Sequence, residues 1–176
     1  MKSNKNIVLV GMMGSGKSLI GKILSKKTDR QLIDIDQKIE EVEKMTISEI
    51  FDKFGEKKFR SLEQKISIYY LKKYRKIISL GGGGFINPRI RNFCLKQSLT
   101  FWLDWKSDTI INRIKKNKKR PLAIKLDRNR LNKLIRDRSK IYLKSDFRVN
   151  CDKLSKSEIV NLILENYKKN GNQNKY

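Results

Sequence analysis

Histidine is absent from the 176 residues, cysteine occurs twice and alanine once. With no histidine, and with Cys94 and Cys151 far apart and outside any Cys-x-x-Cys spacing, neither a zinc site nor a disulfide framework is indicated. Both cysteines read as small buried thiols of a reducing compartment. Long apolar runs are lacking too. The run nearest the N-terminus, Ile7-Val8-Leu9-Val10, is too short for a signal-peptide core or a membrane span, so a cytoplasmic location is expected. Acidic residues are scarce, 18 against 42 lysines and arginines, for a formal net charge of +24. Such an excess ordinarily raises nucleic acid as a partner. Here, however, thirty of the 42 are lysines, spread along a chain also rich in isoleucine and asparagine, the pattern that an A/T-rich coding bias produces. The lysines are not gathered in one patch with interleaved aromatics, so no specific nucleic-acid partner is expected. Internal repeats and interdomain linkers are missing as well. The length suits one domain, of a size that buries about 70% of its unfolded surface.

What the chain does have is Gly11-Met12-Met13-Gly14-Ser15-Gly16-Lys17-Ser18, a complete G-x-x-x-x-G-K-[ST] phosphate loop. The apolar run before it reads as a buried strand, and Leu19 to Leu24 after it continues with helical spacing. In such a loop the glycines turn the backbone so that successive N–H groups face a polyphosphate, and the following helix adds its positive dipole end. Lys17 reaches the outer phosphates, and the Ser18 hydroxyl is placed to ligate Mg²⁺. As a loop lysine, Lys17 is expected to be exposed and to contribute little to the core.

Further along, Gln31 to Asp36 reads as a second strand with two acids, Asp34 and Asp36, at its carboxyl end, where ligands of open parallel sheets collect. One acid suits Mg²⁺ through water, the other a substrate hydroxyl; Asp36 is also a candidate cap for a helix from Gln37 to Lys44. Thr46-Ile47-Ser48-Glu49 is a capping box for a short helix ended by Gly55, and a longer helix runs from Glu56 to about Tyr74. It carries Arg60 and Glu63 one turn apart, which alone would be a surface ion pair worth well under ~1 kcal/mol. A third strand, Lys76 to Leu80, runs into Gly81-Gly82-Gly83-Gly84, a run suited to close approach of a ligand or another backbone. Ser79 stands where a P-loop enzyme commonly has an acidic metal-binding residue, which leaves Ser18 and Asp34 for the metal. Pro88 opens a helix to about Lys96. A strand from Ser98 to Leu103 follows, and then a helix from Ser107 carries Arg113 near its end. The dense positive segment Lys115 to Leu122 reads as a lid that delivers Arg120, with Pro121 fixing the local backbone. A helix from about Asp127 to Leu143, a strand over Phe147 to Asn150 and a helix from Ser155 to about Lys168 complete the domain. Residues 171 to 176 read as a frayed tail.

Taken together and in order, the phosphate loop, Asp34-x-Asp36, Phe59-Arg60-x-x-Glu63, Ser79-Leu80-Gly81-Gly82-Gly83, Arg113, Arg120-Pro121-Leu122 and Arg138 four residues before Tyr142 resemble the shikimate kinase family. The resemblance covers about Asn6 to Leu164. It implies an α/β fold with a five-stranded parallel sheet in the order 2-3-1-4-5 and helices on both faces. It further implies a single kinase domain over residues 1 to 170, with a substrate-binding region at about 36 to 64 and the lid at about 115 to 126. The implied reaction is Mg²⁺-dependent transfer of the ATP γ-phosphoryl to the 3-hydroxyl of shikimate, a step of chorismate and aromatic amino acid biosynthesis, by a monomer.

By the same resemblance, Gly14, Ser15, Gly16, Lys17, Ser18, Leu19, Arg113 and Arg120 bind ATP, with Arg113 flanking the adenine and Arg120 covering the phosphates. Ser18 and Asp34 serve Mg²⁺. Arg60, Arg138 and the Gly82 to Gly83 backbone hold the shikimate carboxylate and ring, and Asp36 meets its hydroxyls. Lys17, Asp36 and Arg120 are the implied catalytic group. The chain departs from the family at Gly84 and Phe85, where a small residue usually follows the glycine triplet. It departs again at Ser139-Lys140-Ile141, which lacks the proline usual before Tyr142. Two other readings stay open: a related small-metabolite kinase such as a gluconate kinase, and a nucleotide-regulated RNA-binding protein using the basic surface. The arginine pair, which calls for a carboxylate acceptor, and the absence of an RNA-reading motif weigh against them.

Overall fold

Strand β1 (Asn6–Val10) is buried along its whole length, and its side chains alternate between two cores. Ile7 and Leu9 point to one face, Val8 and Val10 to the other, the arrangement that a central parallel strand requires. The computed structural model describes residues 3–116 and 126–170. Within them β1 lies between β3 (Ile77–Ser79) and β4 (Ser98–Asp104), with β2 (Leu32–Asp34) and β5 (Phe147–Asn150) at the edges. The order is 2-3-1-4-5 and every pairing is parallel, as expected; the register sets Ile7 against Ile77 on one side and Leu99 on the other.

Helices cover both faces. On one side α1 (Lys17–Thr28) and the C-terminal helix α7 (Lys156–Asn170) bury Ile20, Leu24, Ile159 and Ile163 against Ile7, Leu9, Phe101 and Val149. On the other lie α2 (Ile35–Glu43), α3 (Ile47–Leu71), α4 (Pro88–Gln97), α5 (Ser107–Lys116) and α6 (Arg128–Tyr142), packed on Val8, Val10, Ile33, Ile78 and Trp102. The Thr46–Glu49 capping box is formed, and Gly55, at φ 73°, breaks α3 into the two helical pieces expected there. Cys94 and Cys151 are fully buried, and burial pushes the Cys151 thiol up to about 12, so both behave as packing groups.

Three boundaries differ from expectation. β2 stops at Asp34 because that residue leaves the strand to cap α2, its carboxylate accepting from Gln37 N; Asp36 therefore stands in the first helical turn and is not the cap. Residues 72 to 74 do not continue α3. Buried Asn6 takes the carbonyls of Leu71 and Lys73 with its amide and holds Lys76 N with its oxygen, turning the chain into β3. Third, Gly84–Ile86 forms a 3₁₀ turn after the glycine run, with Gly84 N donating to Gly81 O. All parallel strands deliver their carboxyl ends to one edge of the sheet, and there the site is built.

Candidate active site

The phosphate loop leaves β1 and enters α1 through Gly16, whose φ of 85° is the left-handed value that glycine adopts without strain. Lys17 is not exposed as expected: it is 7% accessible, because its ammonium donates to Gly11 O at 2.9 Å and Met12 O at 2.8 Å. The cation thus braces the loop that it serves. Ser18 opens the exposed side of α1 and donates to Asp34 Oδ2 at 2.5 Å, so α1 and the end of β2 bring together a hydroxyl and a buried carboxylate. Hard oxygen donors beside a polyphosphate cradle fit Mg²⁺, which keeps waters and phosphate oxygens as its other ligands. Leu19, the next residue, is 45% exposed at the mouth of the same helix. Arg113, on α5, reaches Gly14 O with Nη1 at 3.4 Å and lies over the Trp105 ring. Arg120 and Pro121 of the lid lie outside the described residues.

The second half of the site is the glycine turn after β3. Its walls come from residues far apart in sequence. Arg60 on α3 forks across two acids, Nε and Nη2 to Glu56 Oε1 and Nη1 to Glu63 Oε2 at 2.7 Å, and packs so close under Gly83 that a β-carbon there would overlap its guanidinium. From α6, Tyr142 OH donates to Gly82 O at 2.5 Å, and Arg138 Nη1 approaches the same carbonyl at 3.4 Å. Burial pushes the Tyr142 phenol up to about 12, keeping it a neutral donor. Helix α6 runs unbroken through Ser139-Lys140-Ile141, so the missing proline leaves Tyr142 on the turn. Gly84 and Phe85 are likewise accounted for. A β-carbon on Gly84 would stand in contact with Glu63 Oε1 at 3.4 Å, and Phe85 is fully buried in the core.

Glu63 is the residue that spacing alone misreads. It is 1% accessible, no surface partner, and its Oε1 has no hydrogen-bond partner among the described residues. That oxygen and Asp36 Oδ1 each lie 2.6 Å from where a β-carbon of Gly81 would stand. Burial raises the Glu63 carboxyl above the usual glutamate range, opposed by Arg60 and reinforced by Asp36. A raised acid keeps a proton in the native state that the unfolded state has lost. Wild-type stability should therefore fall, relative to Glu63→Gln, as pH rises from the ordinary glutamate value through the raised one. Thermal melts of both proteins over about pH 4 to 8 check this; a difference independent of pH would show that Glu63 titrates normally.

The two halves touch. A β-carbon at Gly82 would lie 3.0 Å from Met13 N, and Tyr142 OH is 3.7 Å from Met12 Sδ, so the glycine turn rests against the phosphate loop itself. The structure thus gathers Asp36, Arg60, Gly82, Gly83 and Arg138 beside Lys17, Ser18 and Asp34. A model of the family described as shikimate kinase matches residues 13–168. The chain belongs to the shikimate kinase family. Among relatives, it is 39% identical over 165 residues to the shikimate kinase of a Sulfurihydrogenibium species, covering 94% of this chain and 99% of the relative. With that of Bacillus subtilis the identity is also 39%, over 93% and 89% of the two chains. The solved structure of the shikimate kinase from Acinetobacter baumannii in complex with shikimate superimposes with a TM-score of 0.90 at 25% identity, over 98% of this chain and 97% of that one. A gluconokinase from Sinorhizobium meliloti, TM-score 0.59 at 14% identity, shares the fold alone. Among the described residues the shikimate kinase motifs of this chain are therefore gathered at the carboxyl edge of the sheet, with Glu63 and Tyr142 supporting Arg60 and the glycine turn, and with Trp105 as a support that lies outside every motif.

Proposed function

We propose that the protein transfers the γ-phosphoryl of ATP to the 3-hydroxyl of shikimate, releasing ADP and shikimate 3-phosphate. The observation that carries this reading is the contact of the glycine turn, with Arg60 and Arg138 upon it, against the phosphate loop at Met13: a carboxylate grip next to a phosphate cradle. Planar guanidiniums suit a carboxylate, and the Gly82 and Gly83 backbone can approach the ring. Asp36, in the first turn of α2, orients the acceptor hydroxyl and takes its proton. Lys17 and the loop N–H groups of Gly14, Ser15 and Gly16 neutralise charge on the transferring phosphoryl, which needs alignment and charge compensation more than covalent chemistry. Ser18 and Asp34 would hold Mg²⁺, which supplies further charge neutralisation when bound. Arg113 would flank the adenine, Leu19 would line the nucleotide side, and Arg120 in a lid over 115 to 126 would cover the phosphates.

The reading extends to a single domain over residues 1 to 170, monomeric and cytoplasmic, acting in chorismate biosynthesis. Among the described residues no helix is long and apolar enough to cross a membrane. A coupled ADP-release assay with shikimate, gluconate or no acceptor tests the proposal. Turnover with shikimate alone is expected, and equal ADP release without acceptor would refute it. The acceptor grip has its own test. Lysine in place of Arg60 keeps the charge but cannot span Glu56 and Glu63 while presenting a planar fork. Arg60→Lys should lower kcat/KM for shikimate about ten- to a hundredfold, roughly 1.5 to 3 kcal/mol, with ATP binding nearly unchanged. Unchanged kinetics with shikimate varied at saturating MgATP would remove Arg60 from the grip.

A further inference from the structure

Trp105 follows β4 at the carboxyl edge of the sheet and belongs to none of the motifs above. Its ring nevertheless makes two contacts with the nucleotide side of the site. The indole Nε1–H donates to Ser15 O, inside the phosphate loop, at 2.9 Å. Its face carries the Arg113 guanidinium, whose central carbon is 3.8 Å from the ring centroid. Arg113 closes a triangle by reaching Gly14 O, and a β-carbon on Gly14 would stand 3.5 Å from Arg113 Cβ. Trp105, Arg113 and the loop thus hold one another, and Trp105 and Arg113 are only partly buried.

A guanidinium is flat and stacks on either face. An arginine free in solvent has many rotamers to lose on meeting a base; one already laid on an indole has lost most of them beforehand. The hydrogen bond to Ser15 O fixes the indole relative to the loop that takes the phosphates, so base and phosphates of one ligand are received by parts in a set relation. A leucine at position 105 would fill similar core space, since Trp105 packs at the margin of both apolar layers, but it would supply neither the N–H nor the aromatic face.

We propose that Trp105 is a positioning residue for the nucleotide base, pinning Arg113 flat beside the phosphate loop so that the outer face of its guanidinium meets the purine of ATP. This rests on the reading that Arg113 flanks the adenine. Binding of ADP and of inorganic pyrophosphate, measured by calorimetry on wild type, Trp105→Leu, Trp105→Phe and Arg113→Leu, tests the two separately. Pyrophosphate has no base, so a residue that acts through the base leaves its affinity alone. Trp105→Leu should weaken ADP about tenfold, as expected for loss of a cation–π platform, and pyrophosphate less than about twofold. Trp105→Phe, which keeps an aromatic face and guards against a misfolded leucine variant, should fall between. In turnover, KM for ATP should rise while kcat and KM for shikimate hold.

Equal weakening of ADP and pyrophosphate would make Trp105 a mere support of the loop and overturn the proposal. So would unchanged ADP affinity in both Trp105 variants when Arg113→Leu loses it. If Arg113→Leu itself leaves ADP unaffected, the adenine reading fails and the proposal falls with it.

Discussion

Lys17→Ala should lower kcat by about a thousandfold or more, the scale on which preorganised charge at a transferring phosphoryl acts. The lysine is the one cation that the loop itself contributes, and no neighbour among the described residues is positioned by the same backbone to replace it. Its burial adds a second effect. In the wild type the ammonium satisfies the carbonyls of Gly11 and Met12, so the alanine variant should also lose roughly 1 to 3 kcal/mol of stability. The two effects separate experimentally, because a thermal melt reports the stability and single-turnover kinetics at a temperature where the variant is folded report the chemistry. Lys17→Met, which keeps the aliphatic stem, should recover packing and none of the rate. A folded Lys17→Ala enzyme with near-normal turnover would remove the phosphate loop from the reaction.

How far the sequence discloses this site depends on whether the deciding contact is local. The phosphate loop, the Thr46–Glu49 box and the break at Gly55 are legible because their chemistry is contained within a few residues. The end of α3 is not, because the group that stops it is Asn6, some 65 residues earlier. Asp34 and Asp36 show a subtler difficulty. Either aspartate could cap a helix, and spacing does not say which; Asp34 takes the cap and the Ser18 contact together, leaving Asp36 in the first turn of α2 and facing the glycine run. Glu63 misleads for the same reason, since an i, i+3 pair with Arg60 looks alike on a wet or a buried helix face. Its burial follows from the turn at Gly81–Gly84 closing over it, which no local pattern encodes. Trp105 gave no signal at all, because an aromatic after a strand is ordinarily core.

That arrangement of acids sets up the second large effect. Asp36 sits at the N-terminal end of α2, where the helix dipole favours a negative charge, and its Oδ1 lies near Glu63 Oε1 across Gly81. Asp36→Asn keeps the shape and an oxygen for hydrogen bonding, yet cannot accept the proton of an acceptor hydroxyl. It should therefore lower kcat by about 10²- to 10⁴-fold, the range for losing a positioned general base, while KM for ATP stays within about threefold. The fold should survive, because Asp34 and not Asp36 caps α2. The change should also be felt at Glu63. Removing the neighbouring negative charge takes away one of the influences that raise that carboxyl, so the pH-dependent loss of stability attributed to Glu63 should shift toward lower pH in the Asp36→Asn protein. Measured together, the rate and the melt distinguish a base from a mere structural carboxylate. A large fall in kcat with the Glu63 shift places Asp36 at the reacting hydroxyl, in contact with the buried acid. A kcat within threefold of wild type would show that the acceptor is deprotonated without Asp36, whatever the melts report.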